Sequence, residues 1–373
     1  MELKTLEALN VTVSRLGMGN MRLPTTADGK IDTPAGCALI DHLMAAGVTY
    51  YDTAYFYHGG ESEVFCKAAL IDRYPRDSFT LATKMPSNNT TAEQAEKVFK
   101  EQMERTGATF FDFYLLHAVD WNSYVAMKDG GALAYLESLK AEGKIRFLGF
   151  SFHGAHDGVE KILSDYSFDF CQLQLNYFDW DKGHKEEYEA AVRHNVPVVV
   201  MEPVRGGLLA QMRPDIQTLF TQVDPKASIA SWALRWVAEL PSVAVILSGM
   251  SDEAQVLDNI ATFTDRKPMT EAEKAMLATV MERMDQLPLS PCTNCRYCIE
   301  CPKSIPIPGI FGNYNNYLRF DNISPLTRNY LVWTPKEKQA DACIQCGYCE
   351  SKCPQQIKIM EELAKIHALA LKG

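Results

Sequence analysis

Eight of the eleven cysteines lie between residues 292 and 353, in two dense runs. Cys292, Cys295, Cys298 and Cys301 are each separated by two residues, and Pro302 follows. Cys343, Cys346, Cys349 and Cys353 are separated by two, two and three residues, and Pro354 follows. Steps this short let three thiolates wrap one face of a compact metal–sulfur core. A tetrahedral zinc site takes two close pairs across a longer loop, so four cysteines this dense fit it poorly. A second reactive set lies upstream. Asp52, Lys84 and His117 each end an apolar run, and Tyr57 follows Asp52 in "DTAYFYHGGESE". One such residue alone is usually a solvated loop group; four on three consecutive runs form a cluster. A tyrosine hydroxyl, with an ordinary pKa near 10, needs a nearby ammonium to favour its phenolate, and a carboxylate can hold that ammonium. With a histidine to orient a carbonyl oxygen, the set can protonate that oxygen while hydride reaches the carbon.

Such a cluster needs a scaffold that gathers strand ends. Apolar strand-like runs occur at 14–19, 48–54, 79–84, 111–117, 145–151, 168–176, 196–203 and 242–249. Helical patterns lie between them, at 91–107, 185–195 and 224–240, the last with Asp224 as N-cap and Pro225 at its first position. Eight strands, each followed by a helix, over about 250 residues predict a parallel (β/α)8 TIM barrel, whose active site sits at the C-terminal strand ends. No G-x-G-x-x-G follows the first strand, which disfavours an open doubly wound sheet. Residues 6–16 read as a hairpin ahead of the barrel. A helix over 270–287 leads to a boundary, giving a barrel domain at 1–287 and a small cysteine-rich domain at 288–373. Residues 302–342 are rich in Pro, Asn and Tyr and read as irregular, and a last helix covers 358–372.

"YYDTAYFYHGGESE", "LATK", "YLLH" and "GKIRFLGFS" resemble the signature segments of the aldo-keto reductases, and the resemblance covers about residues 1–265. It implies a nicotinamide cofactor, NAD(P)H, and a small-molecule carbonyl substrate. It assigns Tyr57 as general acid, Lys84 and Asp52 as the pair that tunes it, and His117 as the carbonyl-orienting partner. On the cofactor side, Ser151 and Gln172 match the family's carboxamide contacts, but Phe152 and His153 stand where Asn is expected. Met201 replaces the aromatic that stacks on the nicotinamide. Arg205, Gly206 and Gly207 would wrap the pyrophosphate, and Gly249, Gln255 and Asn259 keep the family outline after the eighth strand. No Lys or Arg stands ready for an adenosine 2′-phosphate, so NADH and NADPH are not distinguished. Arg22 lies within reach of an anionic substrate, His58 replaces the family's glycine, and Trp121 and Tyr124 are candidates to wall the pocket.

The second cysteine run has the spacing of bacterial-type [4Fe–4S] ferredoxins. That resemblance implies crossed ligation, in which the fourth cysteine of each run serves the other cluster. Cys292, Cys295, Cys298 and Cys353 would then hold one [4Fe-4S] cluster, and Cys343, Cys346, Cys349 and Cys301 the other. The remaining Cys37, Cys66 and Cys171 sit singly among apolar residues and read as core.

A net charge of −10 argues against a general nucleic-acid surface. Residues 290–373 carry ten Lys/Arg against seven Asp/Glu, so the acidity belongs upstream. No run of 18 apolar residues occurs and "MELKTLEALN" lacks a signal-peptide pattern, so the expectation is a cytoplasmic protein without a membrane span. The expected function is an oxidoreductase that reduces a carbonyl with a nicotinamide, with tethered clusters for electron transfer and a ferredoxin or flavodoxin as redox partner. The alternative is a cluster-driven one-electron reductase in which Tyr57 protonates the substrate without nicotinamide.

Overall fold

The apolar runs become strands, and their alternation decides which side chains enter the interior. In the computed structural model, which describes residues 1–373, a hairpin of β1 (Leu3–Leu6) and β2 (Val11–Ser14) comes first. The barrel strands follow: β3 (Leu16–Gly19), β4 (Tyr50–Asp52), β5 (Thr80–Pro86), β6 (Phe111–Val119) and β7 (Ile145–Phe152). They continue with β8 (Phe170–Gln174), β9 (Val198–Met201) and β10 (Val243–Ser248). All eight are parallel, and β10 returns to β3 to close a (β/α)8 barrel.

Along β6, Phe113 and Leu115 pack into the barrel interior while Tyr114 and Leu116 pack outward among the helices. This is the two-residue period of a strand. The hairpin's Leu6 and Val13 join the interior set, which also holds Tyr50, Phe147 and Phe170. The hairpin thus plugs the N-terminal end of the barrel, each buried side chain contributing about 1.5–3 kcal/mol. Polar chemistry is left to the opposite end.

Two compact units result, Met1–Gly206 with Ser231–Met269, and Gly207–Ala230 with Thr270–Gly373. Two expectations about local structure fail. Asp224 and Pro225 do not open a helix over 224–240: Asp224 ends a helix at Pro214–Val223, and the next runs Ile229–Ala238. The Asp224 carboxylate instead accepts from the Lys226 amide at 2.9 Å, turning the chain locally. Residues 302–342 are not irregular, because a 14-residue helix spans Ile307–Phe320. Its Ile307, Ile310, Phe311 and Tyr314 lie on one face and pack with Ile359, Leu363 and Ile366 of the final helix, Ile359–Ala370.

Candidate functional site

Asp52 closes β4, and its neighbour across the ladder is Ala82 of β5. Lys84, two residues further along β5, therefore reaches back over that pair. Its ammonium donates to Asp52 Oδ1 at 2.6 Å and to the Thr53 carbonyl at 2.7 Å. Both side chains are almost wholly buried. A buried ion pair of this kind is weak support for stability, and breaking it by removing one partner is costly. Burial draws the Lys84 pKa down, but Asp52 and Tyr57 outweigh it, and the ammonium ends above its ordinary value.

Tyr57 follows on a short turn, with His58 and Gly59 both in the left-handed region at φ 51° and 67°. The Lys84 nitrogen stands 4.9 Å from the centroid of the Tyr57 ring. The His117 ring meets Tyr57 edge-on at 5.8 Å. Burial raises the Tyr57 pKa more than the Lys84 charge lowers it. The expected lowering by Lys84 is present but loses to desolvation, so Tyr57 holds its proton. Burial, then Lys84, then His153 push His117 down to about 3, leaving a neutral imidazole at ordinary pH.

His117 is aimed by a bulge. Leu116 pairs with Phe150 and Val119 with Phe152, so β6 carries one extra residue there, and Ala118 adopts φ 54°. β6 consequently runs two residues past His117, and β5 two past Lys84. The Ser151 hydroxyl accepts from the Ala118 amide at 2.7 Å and ties this bulge down. Phe152 packs in the core outside the barrel, its ring lying against Gly154 and Gly158. His153 lies close enough to Lys84 and Glu187 to feel both charges, though burial is the main cause lowering its pKa.

The remaining residues assigned to a cofactor divide. Gln172 Nε2 meets Met201 Sδ at 3.5 Å, while its buried Oε1 has no hydrogen-bond partner. An acceptor of that kind fits the amide N–H of a carboxamide, and the polarizable Met201 beside it fits a ring face. Arg205 is engaged elsewhere: it donates to Asp179 at 2.7 Å and stacks on Phe178. Arg22, by contrast, approaches two of the glycines assigned to the cofactor. A methyl placed at Gly249 would stand 2.6 Å from Arg22 Cγ, and one at Gly206 would stand 3.7 Å from Arg22 Nη2. Gln255 bonds Ser251 and Asp252 at a helix start, and Asn259 donates to Ser248 at 2.8 Å. Tyr124 does not wall the pocket. It is fully buried and bonds Asp165.

The reading of single residues missed the network behind Lys84. Gln102 donates to the Lys84 carbonyl and to Glu63, which also accepts from Thr83 and Arg105. Glu63 stands two residues past Glu61 in "GGESE", where a helix start hides its inward aim.

The cysteines gather around two cavities in the second unit. Cys301, Cys343, Cys346 and Cys349 line one, with Ile305, Met360 and Leu363. Cys292, Cys295, Cys298 and Cys353 line the other, with Phe311, Ile357 and Ile359. Ile307 belongs to both walls. Four soft thiolates in an apolar shell make a donor set for iron and sulfide. Burial raises the Cys349 thiol to about 11, and Cys343 and Cys301 add to it. Cys66 and Cys171 are buried in the barrel unit, and burial pushes Cys66 up to about 12.

Comparison with known proteins agrees with both halves. The 4Fe-4S dicluster domain matches residues 291–359. An uncharacterized oxidoreductase of Bacillus subtilis is 22% identical over 74% of this chain and 95% of its own length. The NADH-specific methylglyoxal reductase of Escherichia coli is 23% identical over 75% of this chain and 98% of its own. An aldo-keto reductase of Bacillus halodurans, solved in its holo form, superposes with a TM-score of 0.64 at 25% identity, over 75% of this chain and 96% of that one. The aldo/keto reductase family matches residues 15–280, the whole run from β3 through β10 that carries Asp52, Tyr57, Lys84 and His117, and the chain belongs to that family.

Proposed function

We propose that the protein reduces a small carbonyl compound with a nicotinamide cofactor, Tyr57 serving as general acid. The observation that carries this is the convergence of Tyr57, Lys84 and His117 at the C-terminal end of the barrel, with Lys84 fixed on Asp52 at 2.6 Å. A bound nicotinamide would supply hydride, held by Gln172 and Met201 at the carboxamide end. Neutral His117 orients the carbonyl oxygen by hydrogen bonding. Tyr57 gives that oxygen its proton, and the Lys84 ammonium stabilises the phenolate that results. Asp52 keeps Lys84 in place and charged.

In this reading the two cysteine sets hold two [4Fe-4S] clusters, which would supply single electrons in exchange with a ferredoxin or flavodoxin. Reduced thiols in such number suit a cytoplasmic setting. No helix is long and apolar enough to cross a membrane. A second reading, one-electron reduction driven by the clusters, is favoured by the engagement of Arg205 with Asp179 and of Ser151 with Ala118. Both residues would otherwise serve a dinucleotide.

One anaerobic experiment separates the two, using protein with counted iron and sulfide. NADH, NADPH and a one-electron donor are added separately, with methylglyoxal as the probe carbonyl, chosen from the name of the Escherichia coli relative. Turnover with a nicotinamide while the cluster absorbance stays constant supports the main reading. Turnover with the one-electron donor alone overturns it.

A further inference from the structure

The active-site face of the barrel carries a second cluster of ligating side chains that the reduction chemistry does not use. His156 lies on the loop after β7, four residues past its end. His184 and Glu187 lie in the first turn of the helix His184–Arg193, three residues apart and therefore on one face. Both segments follow C-terminal strand ends, so the cluster sits on the rim of the same face as Tyr57. One ligand atom from each of the three residues lies within 4.8 Å of the others.

We propose that His156, His184 and Glu187 bind a divalent transition-metal ion of the zinc type. The Glu187 carboxylate is 4% exposed, and its ionic partners are the two imidazoles, His156 Nδ1 at 2.6 Å and His184 Nδ1 at 3.4 Å. A buried carboxylate needs a compensating charge. A divalent cation supplies that charge and accepts the ring nitrogens of both imidazoles as ligands. Two imidazoles and one carboxylate form a three-ligand zinc donor set with a further coordination position. His156 is 40% exposed, which leaves an entry path from solvent.

The backbone is shaped for this arrangement. Gly183 has φ 112°, and a methyl added there would fall 2.0 Å from the His156 ring. Only glycine lets the imidazole lie across the helix start toward Glu187. The bound ion would clip the loop that carries His153 to the helix His184–Arg193. His153 stands three residues before His156 on that loop. The clip would therefore hold one flank of the pocket in place, independently of which electron source the enzyme uses.

The test uses anaerobic holoprotein with iron and sulfide counted before and after, because the cysteines also bind zinc. Protein is loaded with zinc sulfate, desalted, and its zinc measured by mass spectrometry and by zinc K-edge absorption. The expected result is a single zinc per chain at unchanged iron, with a nitrogen/oxygen shell at about 2.0–2.1 Å and no sulfur near 2.3 Å. His156→Ala and His184→Ala should each weaken binding by about tenfold or more. Failure of the wild type to retain zinc, a sulfur shell, or equal retention in the variants overturns the proposal. Should His184→Ala fail to fold, the half-exposed His156→Ala decides alone, with its iron content as the control for folding.

Discussion

The amide of Ala118 donates to the hydroxyl of Ser151 at 2.7 Å, across the bulge that follows His117. Ser151 is thus committed to shaping β6, although its position matches a carboxamide contact. Ser151→Ala would leave a part-buried amide unpaired, at about 1–3 kcal/mol, and free the bulge that aims His117. We expect carbonyl reduction to lose roughly tenfold in kcat while dinucleotide affinity changes by less than about threefold. Steady-state kinetics with direct binding measures both. A loss confined to cofactor affinity would show that the hydroxyl serves the carboxamide instead.

Tyr57 and His117 set an unusual pH profile. With Tyr57 held above the ordinary tyrosine value, its acid form persists through neutrality. With His117 pushed down to about 3, the imidazole is neutral well below the ordinary value near 6.5. The reductive kcat should therefore be flat from about pH 5 to 9, with no inflection near 6.5. Stability follows the same group with a defined sign. Between pH 6.5 and 3 the unfolded chain binds a proton that folded His117 refuses, so stability falls as the solution is acidified through that window. His117→Gln should remove this part of the acid sensitivity, which urea titrations at two pH values can read.

The eight strands were legible because each is a short apolar run ended by a polar or turn residue, and strand pairing along the whole barrel enforces that pattern. Asp52, Lys84 and His117 lie at or near strand ends, where chemistry can sit, and Tyr57 follows Asp52 on a short turn. The sequence thus already grouped the four that the barrel brings together. The helix Ile307–Phe320 was hidden by Pro308, Gly309, Gly312 and three asparagines, all poor formers by local propensity. What holds it is the tertiary burial of Ile307, Ile310, Phe311 and Tyr314. Asp224–Pro225 misled in the opposite sense, a local capping signal that the chain spends on ending one helix rather than beginning another. The engagement of Arg205 with Asp179 joins two loops, and a strand-by-strand reading cannot pair them.

That helix offers a direct stability test. Gly312 lies in its interior, and a methyl there would meet nothing within 4 Å. Gly312→Ala should stabilise the folded state by about 0.5–1 kcal/mol through loss of backbone freedom in the unfolded chain. An apparent melting temperature of the holoprotein raised by about 2 °C would match. A lowered one would overturn this account of Gly312.

Two arginines are candidates to hold the pyrophosphate of the proposed nicotinamide cofactor. Arg205 is held by Asp179 and Phe178, while the stem of Arg22 crosses Gly249 toward Gly206. A charge-assisted hydrogen bond to phosphate contributes about 1.5–3 kcal/mol. Arg22→Ala should accordingly weaken NADH or NADPH binding by about tenfold or more, and Arg205→Ala by less than about threefold. Quenching of intrinsic fluorescence reports both. The reverse order would return the phosphate contact to Arg205.

Cys301 lines the cavity of the second cysteine run, and Cys353 lines that of the first. The run at 292–301 has one residue fewer before its last cysteine than the run at 343–353, and crossed ligation would absorb the difference because Cys301 need only reach its neighbour's cavity. Pairs of substitutions convert this into an iron count. Cys301→Ser with Cys346→Ser damages one donor set alone, so about four irons per chain should remain. Cys353→Ser with Cys346→Ser damages both sets, and Cys301→Ser with Cys295→Ser does the same, so both proteins should lose nearly all iron. If ligation instead stayed within each run, Cys353→Ser with Cys346→Ser would keep one cluster and Cys301→Ser with Cys346→Ser would keep none. Iron and sulfide analysis after anaerobic reconstitution distinguishes the two patterns, since a serine oxygen binds these clusters far less well than a thiolate.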